Sequence, residues 1–269
     1  MQNIKITLLV STYNRPDALS VCLDSVKYQT LLPDEIVIGD DGSRDDTKET
    51  IEKIKKNFPI PIIHVWQEDE GFQLAKIRNK SVANSTGDYI IEIDGDVMLS
   101  PQFVEDHMRF AQKGLYIKGG RVNLGRKLTE DVCQSGVSRR IHFWTRGIES
   151  KPENAFRSKK LSAYLAPRYR KNSTKALGCN MSFWKEDFIA VNGYDEKFVG
   201  WGSEDGDFVT RLHKYGLGKR NLKFAGIVYH LWHEDKHMYN LENNKKYQKE
   251  QKEKGVIRCE TGIDQYLSK

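Results

Sequence analysis

The sequence predicts an α/β protein built on a mostly parallel, doubly wound sheet. Apolar strands alternate with helical periodicities to give β-α-β-α-β within the first 65 residues, a succession that implies parallel pairing and right-handed crossovers. The predicted strands that end near Val10, Gly39 and Ile93 are each followed by polar or acidic residues. Parallel sheets gather their ligands at that carboxyl edge.

Taken in order, Ile4–Val10 is a continuous apolar run, and S-T-Y-N-R-P (11–16) is the loop after it. Pro16 and Asp17 start a helix whose Leu19, Cys22, Leu23 and Val26 fall on one face. Glu35–Gly39 is a second strand, ending in D-D-G-S (40–43), and Asp45 or Asp46 is placed to cap the helix over Thr47–Lys56. Ile60–Val65 is a third strand, interrupted by Pro61. From Phe72 the chain reads as a helix carrying Lys76, Arg78 and Lys80. Pro101 opens another helix to about Gln112, and Leu115–Lys118 is a short strand. Residues 121–175 read as long basic loops with short helices, a pattern usually functional or mobile in a compact domain. A strand over Ala176–Phe183, short helices over Lys185–Val191 and Phe208–Tyr215, and a Lys/Glu/Gln/Asn-rich tail over 240–269 complete the reading. Residues 1–120 and 121–269 are taken as two halves of one domain.

Chemistry concentrates in three stretches. Tyr89–Ile93 is apolar and β-branched, and it delivers Asp94 and Asp96 to a strand end. Carboxylates one residue apart repel unless a cation lies between them, and hard oxygen ligands suit Mg²⁺ or Mn²⁺ that still bind phosphate; an ordinary capped turn uses the same residues. G-W-G-S-E-D-G-D (200–207) places Trp201 among glycines and Glu204 and Asp205 at a helix start, where the helix field favours carboxylates. An aromatic platform beside a carboxylate can hold a sugar and activate its hydroxyl, although a helix cap and a core tryptophan would look alike. After the apolar F-A-G-I-V-Y come His230, His233 and His237; the first two form the closely spaced pair, and a neutral imidazole suits Mn²⁺.

Composition sets the frame. With 38% hydrophobic and 30% charged residues the chain is of the soluble globular kind, and no apolar run approaches the ~20 residues that span a bilayer. Met1–Ser11 reads as a first strand rather than a cleavable leader. Cys22, Cys133, Cys179 and Cys259 are scattered without C-x-x-C spacing, which points to a reducing cytoplasm. The net charge of +6 is uneven, with fifteen Lys/Arg against four acids between Lys118 and Lys175. Such a patch suits nucleic acid, anionic lipid, an anionic substrate or a solvated loop. Phe143, Trp144, Tyr164 and Tyr169 within it show no base-stacking motif and no helix-turn-helix is visible, so no nucleic-acid partner is expected.

With these motifs placed, the chain resembles family-2 glycosyltransferases of the GT-A fold over about residues 4–120. Its second half resembles the carboxyl-terminal region of β-1,4-galactosyltransferases and of bacterial chondroitin and hyaluronan polymerases. The carrying motifs are S-T-Y-N-R-P, D-D-G-S, E-G-F-Q-L-A-K-I-R-N (70–79), D-G-D (94–96) and G-W-G-S-E-D. The resemblance implies that Thr12, Tyr13 and Arg15 line a nucleotide pocket, and that Asp40 and Asp41 contact the base and ribose of UDP. It further implies that Lys76 and Arg78 touch nucleotide or diphosphate and that Asp94, Gly95 and Asp96 hold Mn²⁺ (or Mg²⁺) against a UDP-sugar. Trp201 would stack on sugar, Asp205 would act as catalytic base with Glu204 beside it, and His230 or His233 would complete the metal site. Gly206 stands where galactosyltransferases carry a third acid. A saccharide or lipid-linked acceptor and a cytoplasmic setting at the inner face of a membrane follow as expectations. The rivals are a nucleotidyltransferase or other nucleotide-sugar-processing enzyme of related fold and, from another class, a non-enzymatic basic nucleic-acid-binding protein.

Overall fold

The computed structural model describes residues 4–167, 176, 178–234 and 239–267. The first half alternates as the periodicities require: β1 (Ile6–Thr12), α1 (Pro16–Lys27), β2 (Glu35–Asp40), α2 (Asp45–Lys55), β3 (Ile62–Trp66), α3 (Leu74–Ala83) and β4 (Tyr89–Asp94). Then come β5 (Val97–Leu99), α4 (Phe103–Phe110), β6 (Leu115–Lys118), β7 (Gly120–Leu124), α5 (Arg126–Ser135), β8 (Ile148–Ser150) and α6 (Lys159–Leu165). The remainder holds β9 (Met181–Trp184), α7 (Lys185–Ala190), α8 (Glu204–Tyr215), β10 (Gly218–Asn221), β11 (Ile227–His230) and α9 (Leu241–Glu253).

A seven-stranded sheet runs in the order β10-β6-β9-β4-β1-β2-β3. Within it β9 alone opposes its neighbours, pairing antiparallel with β4 and β6, so the expected mostly parallel sheet is present. Strand side chains alternate between its faces. Leu8, Val10, Ile91 and Ile93 pack with Leu19, Cys22, Leu23 and Val26 of α1 on one face; a side chain of this size contributes roughly 1.5–3 kcal/mol on full burial. Leu9, Ile90 and Phe183 pack with Ala75, Phe188, Phe208 and Leu212 from α3, α7 and α8 on the other. The same alternation points Glu92 toward the α3 and α8 side.

The structure departs from the sequence reading in several places. Residues 121–167 are not structureless: β7 and β8 join β5 and β11 in a second, four-stranded sheet. Helix α5 buries Leu128 and Val132 against it, and Gly136 in the left-handed conformation ends that helix. Basic residues on the exposed faces hid this apolar spacing. The expected strand 176–183 starts only at Met181, and Leu177 lies outside the described residues. Neither Asp45 nor Asp46 caps α2; both sit in its first turn, where the helix dipole favours them. Helix α8 begins at Glu204, earlier than expected, so Glu204 and Asp205 stand in its first turn.

The polar tail is also built in. Asn244 of α9 is buried and donates to the Val199 carbonyl (3.2 Å). Beyond α9, Cys259 and Ile263 are buried around Asn192, whose amide donates to the Cys259 carbonyl at 3.0 Å. All four cysteines are free thiols. No helix among the described residues is long and apolar enough to cross a membrane.

Candidate active site

Three parallel strands end side by side. Register pairs Ser11 with Asp94 and Thr12 with Asp40, and the chain turns tightly there, Gly95 N donating to Ser11 O at 2.6 Å and Asp41 N to Thr12 O at 3.0 Å. These bonds hold the loop after β1, the D-D-G-S turn and the D-G-D turn at one edge.

On the D-D-G-S side the carboxylates turn inward. Asp40 is fully buried; it accepts from Ser43 N (2.8 Å) and meets His64 Nε2 (3.0 Å). Asp41 accepts from Gln67 Nε2 (2.6 Å) and Gln73 N (2.9 Å), yet burial pushes its carboxyl up to about 6. Both carboxylates are thus buried and bonded within the protein. Tyr13 donates its hydroxyl to Asp69 (3.0 Å), and burial followed by that bond raises its pKa. Arg15 lies 3.5 Å from Asp17, and Lys76 pairs with Glu70 at 3.0 Å. Thr12 Oγ1 is buried with no hydrogen-bond partner.

Arg78 is the centre of the arrangement. Its guanidinium, 1% exposed, reaches Asp205 at 2.8 Å, Asp94 at 3.2 Å and Glu92 at 3.5 Å, and it lies over the Tyr194 ring. The sequence reading placed Arg78 against nucleotide alongside Lys76; the structure gives it three carboxylates, two from β4 and one from α8. Tyr194 donates to Glu92 at 2.7 Å. Burial pushes the Glu92 carboxyl up to about 8 although Arg78 pulls it down. Asp205 Oδ2 also accepts from Gly178 N at 2.8 Å. A Cβ at Gly178 would stand 2.5 Å from Arg78 Nη2 and 2.7 Å from Asp205, so a side chain there would push this pair out of place.

Asp94 and Asp96 lie where desolvation raises both their pKa values, Asp94 to about 6. Asp96, His230 and His233 each offer an atom within 4.8 Å of one another; His233 Nε2 is 3.2 Å and His230 Nε2 3.7 Å from Asp96 Oδ2. Burial and nearby Arg121 press His230 down to about 4, leaving a neutral imidazole. Asp96 Oδ1 is buried with no hydrogen-bond partner. An orphaned carboxylate oxygen beside two imidazoles fits a divalent cation, and the nitrogen donors favour Mn²⁺ over Mg²⁺. The structure thus brings His230 and His233 together rather than choosing between them. His237 lies outside the described residues.

The Trp201 loop closes the other side. Gly200 (φ 83°) donates to Phe72 O at 2.9 Å and Trp201 N to Tyr239 O at 3.1 Å. A Cβ at Gly200 would meet Tyr239 and Asn240 within 2.9 Å, so this left-handed, crowded position needs glycine. The Trp201 ring stays 40% exposed. Glu204, 9% exposed, keeps Oε2 unpartnered, and burial with neighbouring Asp205 pushes its carboxyl up to about 7. Sequence reasoning missed Glu92, Tyr194, Gly178 and Tyr239. A charge inside Y-I-I-E-I-D was the available signal, since a buried carboxylate requires a partner.

Comparison with known proteins adds an independent line. The family model described as glycosyl transferase family 2 matches residues 7–186, and that described as the N-terminal domain of galactosyltransferase matches 159–234. Validoxylamine A glucosyltransferase of Streptomyces hygroscopicus subsp. limoneus is 28% identical over 230 residues, 79% of this chain and 48% of that protein. Chondroitin synthase of Escherichia coli is 26% identical over 246 residues, 84% of this chain and 34% of that protein. The chain thus spans half or less of these relatives' length. Among solved structures, a mannosyltransferase from Pyrobaculum calidifontis in complex with GDP-Man and Mn²⁺ superposes with a TM-score of 0.62 at 15% identity, covering 97% of this chain and 66% of that one. Residues 1–349 of TarS from S. aureus, in complex with UDP, give 0.60 at 16% identity, covering 98% and 68%. These likenesses identify the fold as GT-A.

Proposed function

The chain belongs to glycosyl transferase family 2, and from that premise we propose that it moves a sugar from a UDP-sugar to a hydroxyl of a saccharide or lipid-linked saccharide, inverting the anomeric centre. Residues 1–120 bind the donor, residues 121–269 supply the acceptor side and the base, and the setting is cell-surface polysaccharide synthesis at the inner face of a membrane. The observation that carries the reading is the joint placement, around buried Arg78, of a fixed carboxylate, Asp205, and of Asp94 from the edge that also bears Asp96.

Asp205 is held by Arg78 on one oxygen and by Gly178 N on the other, which fixes its plane while a quarter of its side chain stays open. It takes the proton of the acceptor hydroxyl as that oxygen attacks the anomeric carbon in line with the departing diphosphate. A single displacement needs no covalent intermediate. Glu204 keeps a proton near neutrality and offers a hydrogen bond to a sugar hydroxyl, and Trp201 presents its open face to the ring. Asp96, His230 and His233, with Asp94 beside them, would hold a divalent cation, Mn²⁺ by donor type, which when bound neutralises the charge developing on the leaving UDP. Thr12, Tyr13, Arg15, Lys76 and Gly95 line the nucleotide side of the same edge.

The test is nucleotide release from a panel of UDP-sugars and GDP-mannose, with Mn²⁺ and with EDTA. One UDP-sugar is expected to turn over, with loss in EDTA and a drop of about 10²–10⁴ in Asp205→Asn. Unchanged turnover in Asp205→Asn would remove the assigned base, and failure to bind UDP would remove the UDP-sugar as donor.

A further inference from the structure

Outside the carboxylate centre, the described surface carries one organised apolar feature. A groove of about 370 Å³, lined by Ser100, Arg140, Phe143, Trp144, Phe156 and Ile227 among others, opens at the far end of the β5–β11 ladder from Asp96 and His230. Ile227 lies three positions before His230 on β11, about 10 Å along the strand.

In this groove large apolar side chains stand in water: Trp144 is 66% exposed, Phe143 48% and Phe156 43%. The rings form a ridge, with Phe143 edge-on to Trp144 at 4.5 Å, Phe156 at 6.1 Å from Phe143, and Phe224 at 5.7 Å from Phe156. Soluble surfaces rarely leave such a contiguous patch uncovered. The segment that carries Phe143, Trp144 and Phe156 is basic, with seven Lys/Arg against two Glu in residues 137–167, and Arg140 and Arg157 line the groove itself. Arg157 is engaged by Asp106 and Lys159 by Glu105, while Arg139, Arg140, Arg146, Lys151 and Lys160 are exposed.

We propose that this face docks on the surface of an anionic phospholipid bilayer, Phe143 and Trp144 entering the headgroup layer while the surrounding cations pair with lipid phosphates. Phe143 and Phe156 carry no polar edge, and a soluble polysaccharide would engage the cations and Trp144 while leaving these two rings in water. A bilayer satisfies both halves of the pattern: aromatic rings lodge at the interface and each nearby Lys or Arg strengthens binding to anionic lipid about fivefold. Docked this way, the chain holds Asp96 and His230 close above the membrane, where a lipid-linked acceptor presents its sugar. The docking rests on the transferase reading only for that last consequence, because vesicle binding is measured without turnover.

The experiment is co-sedimentation of the full chain with phosphatidylcholine vesicles, with and without phosphatidylglycerol, at low and high salt. Expected is binding to the anionic vesicles alone, weakened by salt. Phe143→Ser/Trp144→Ser should weaken it about tenfold or more, and Arg139→Gln and Arg140→Gln about fivefold each. All are surface changes, so melting temperature and UDP-sugar turnover should match wild type. The proposal is overturned by absence of binding to anionic vesicles or by unchanged binding of the Phe143/Trp144 variant. Two further outcomes also overturn it: self-association of the wild type that this variant abolishes, and Trp144-dependent retention on an immobilised anionic polysaccharide without vesicle binding.

Discussion

Replacing Arg78 by Met keeps most of the side chain's volume and removes its charge. Three carboxylates, at 2.8, 3.2 and 3.5 Å from the guanidinium, then lose their common cation. Breaking a buried ion pair by deleting one partner costs about 3–5 kcal/mol, and the variant should lose at least that much at neutral pH. The loss should depend on pH in a definite sense. Each carboxylate that takes up a proton in the variant's folded state raises its folded pKa above the unfolded value. Stability from such a group is full in acid and declines by up to ~1.4 kcal/mol per pH unit as pH rises toward the folded pKa. Urea unfolding at pH 6 and at pH 8 should therefore show a smaller penalty at the lower pH. A penalty below about 1 kcal/mol, or one that does not change with pH, would refute the view of Arg78 as the buried counter-charge.

Other expectations are narrower. Gly178→Ala places a methyl 2.5 Å from Arg78 and 2.7 Å from Asp205; overpacking of this kind costs about 1–3 kcal/mol, and turnover should fall through a displaced Asp205 even where thermal unfolding shows the fold retained. His107 is buried between Ser182 Oγ (2.8 Å) and Asn180 Oδ1 (3.0 Å). Burial presses its pKa down from 6.5 to about 4. Its contribution is complete above pH 6.5 and lost as pH falls toward 4, about 3 kcal/mol in all. The difference in urea stability between wild type and His107→Gln should therefore depend on pH across that window and become flat above it. Asp96→Ala removes the carboxylate that faces both histidines and should weaken Mn²⁺ affinity, read by paramagnetic relaxation, by about tenfold or more, whereas a change at exposed Glu186 should leave it alone.

Much of this arrangement was legible in the residues because strand period and edge chemistry agree. The alternating apolar runs place β1, β2 and β4, and the acids at their ends arrive at one edge as expected. Three things escaped. Arg78 sat in a string with Lys76 and Lys80, and spacing alone does not tell a buried cation from two exposed ones. Glu92 marked the difference, because a carboxylate in the middle of an apolar strand had to be paired. Residues 121–167 read as loop because their charged faces outnumber the few apolar positions, Leu128, Val132 and Ile141, that hold them to the second sheet. The contacts of Gly178 and Tyr239 are long-range in sequence, and no local pattern encodes them.

The reversed strand β9 has a consequence for synthesis on the ribosome. It fills the slot between β4 and β6, yet roughly ninety residues of chain leave the ribosome after β4 before β9 does. At ~5–20 residues per second, Tyr89–Asp94 waits about 5–20 seconds with one backbone edge unpaired. An apolar strand with an open edge is a template for pairing with another nascent chain. Glu92 and Asp94 lie on that strand, and their mutual repulsion discourages stacking of copies of the segment before Met181–Trp184 arrives to seal it.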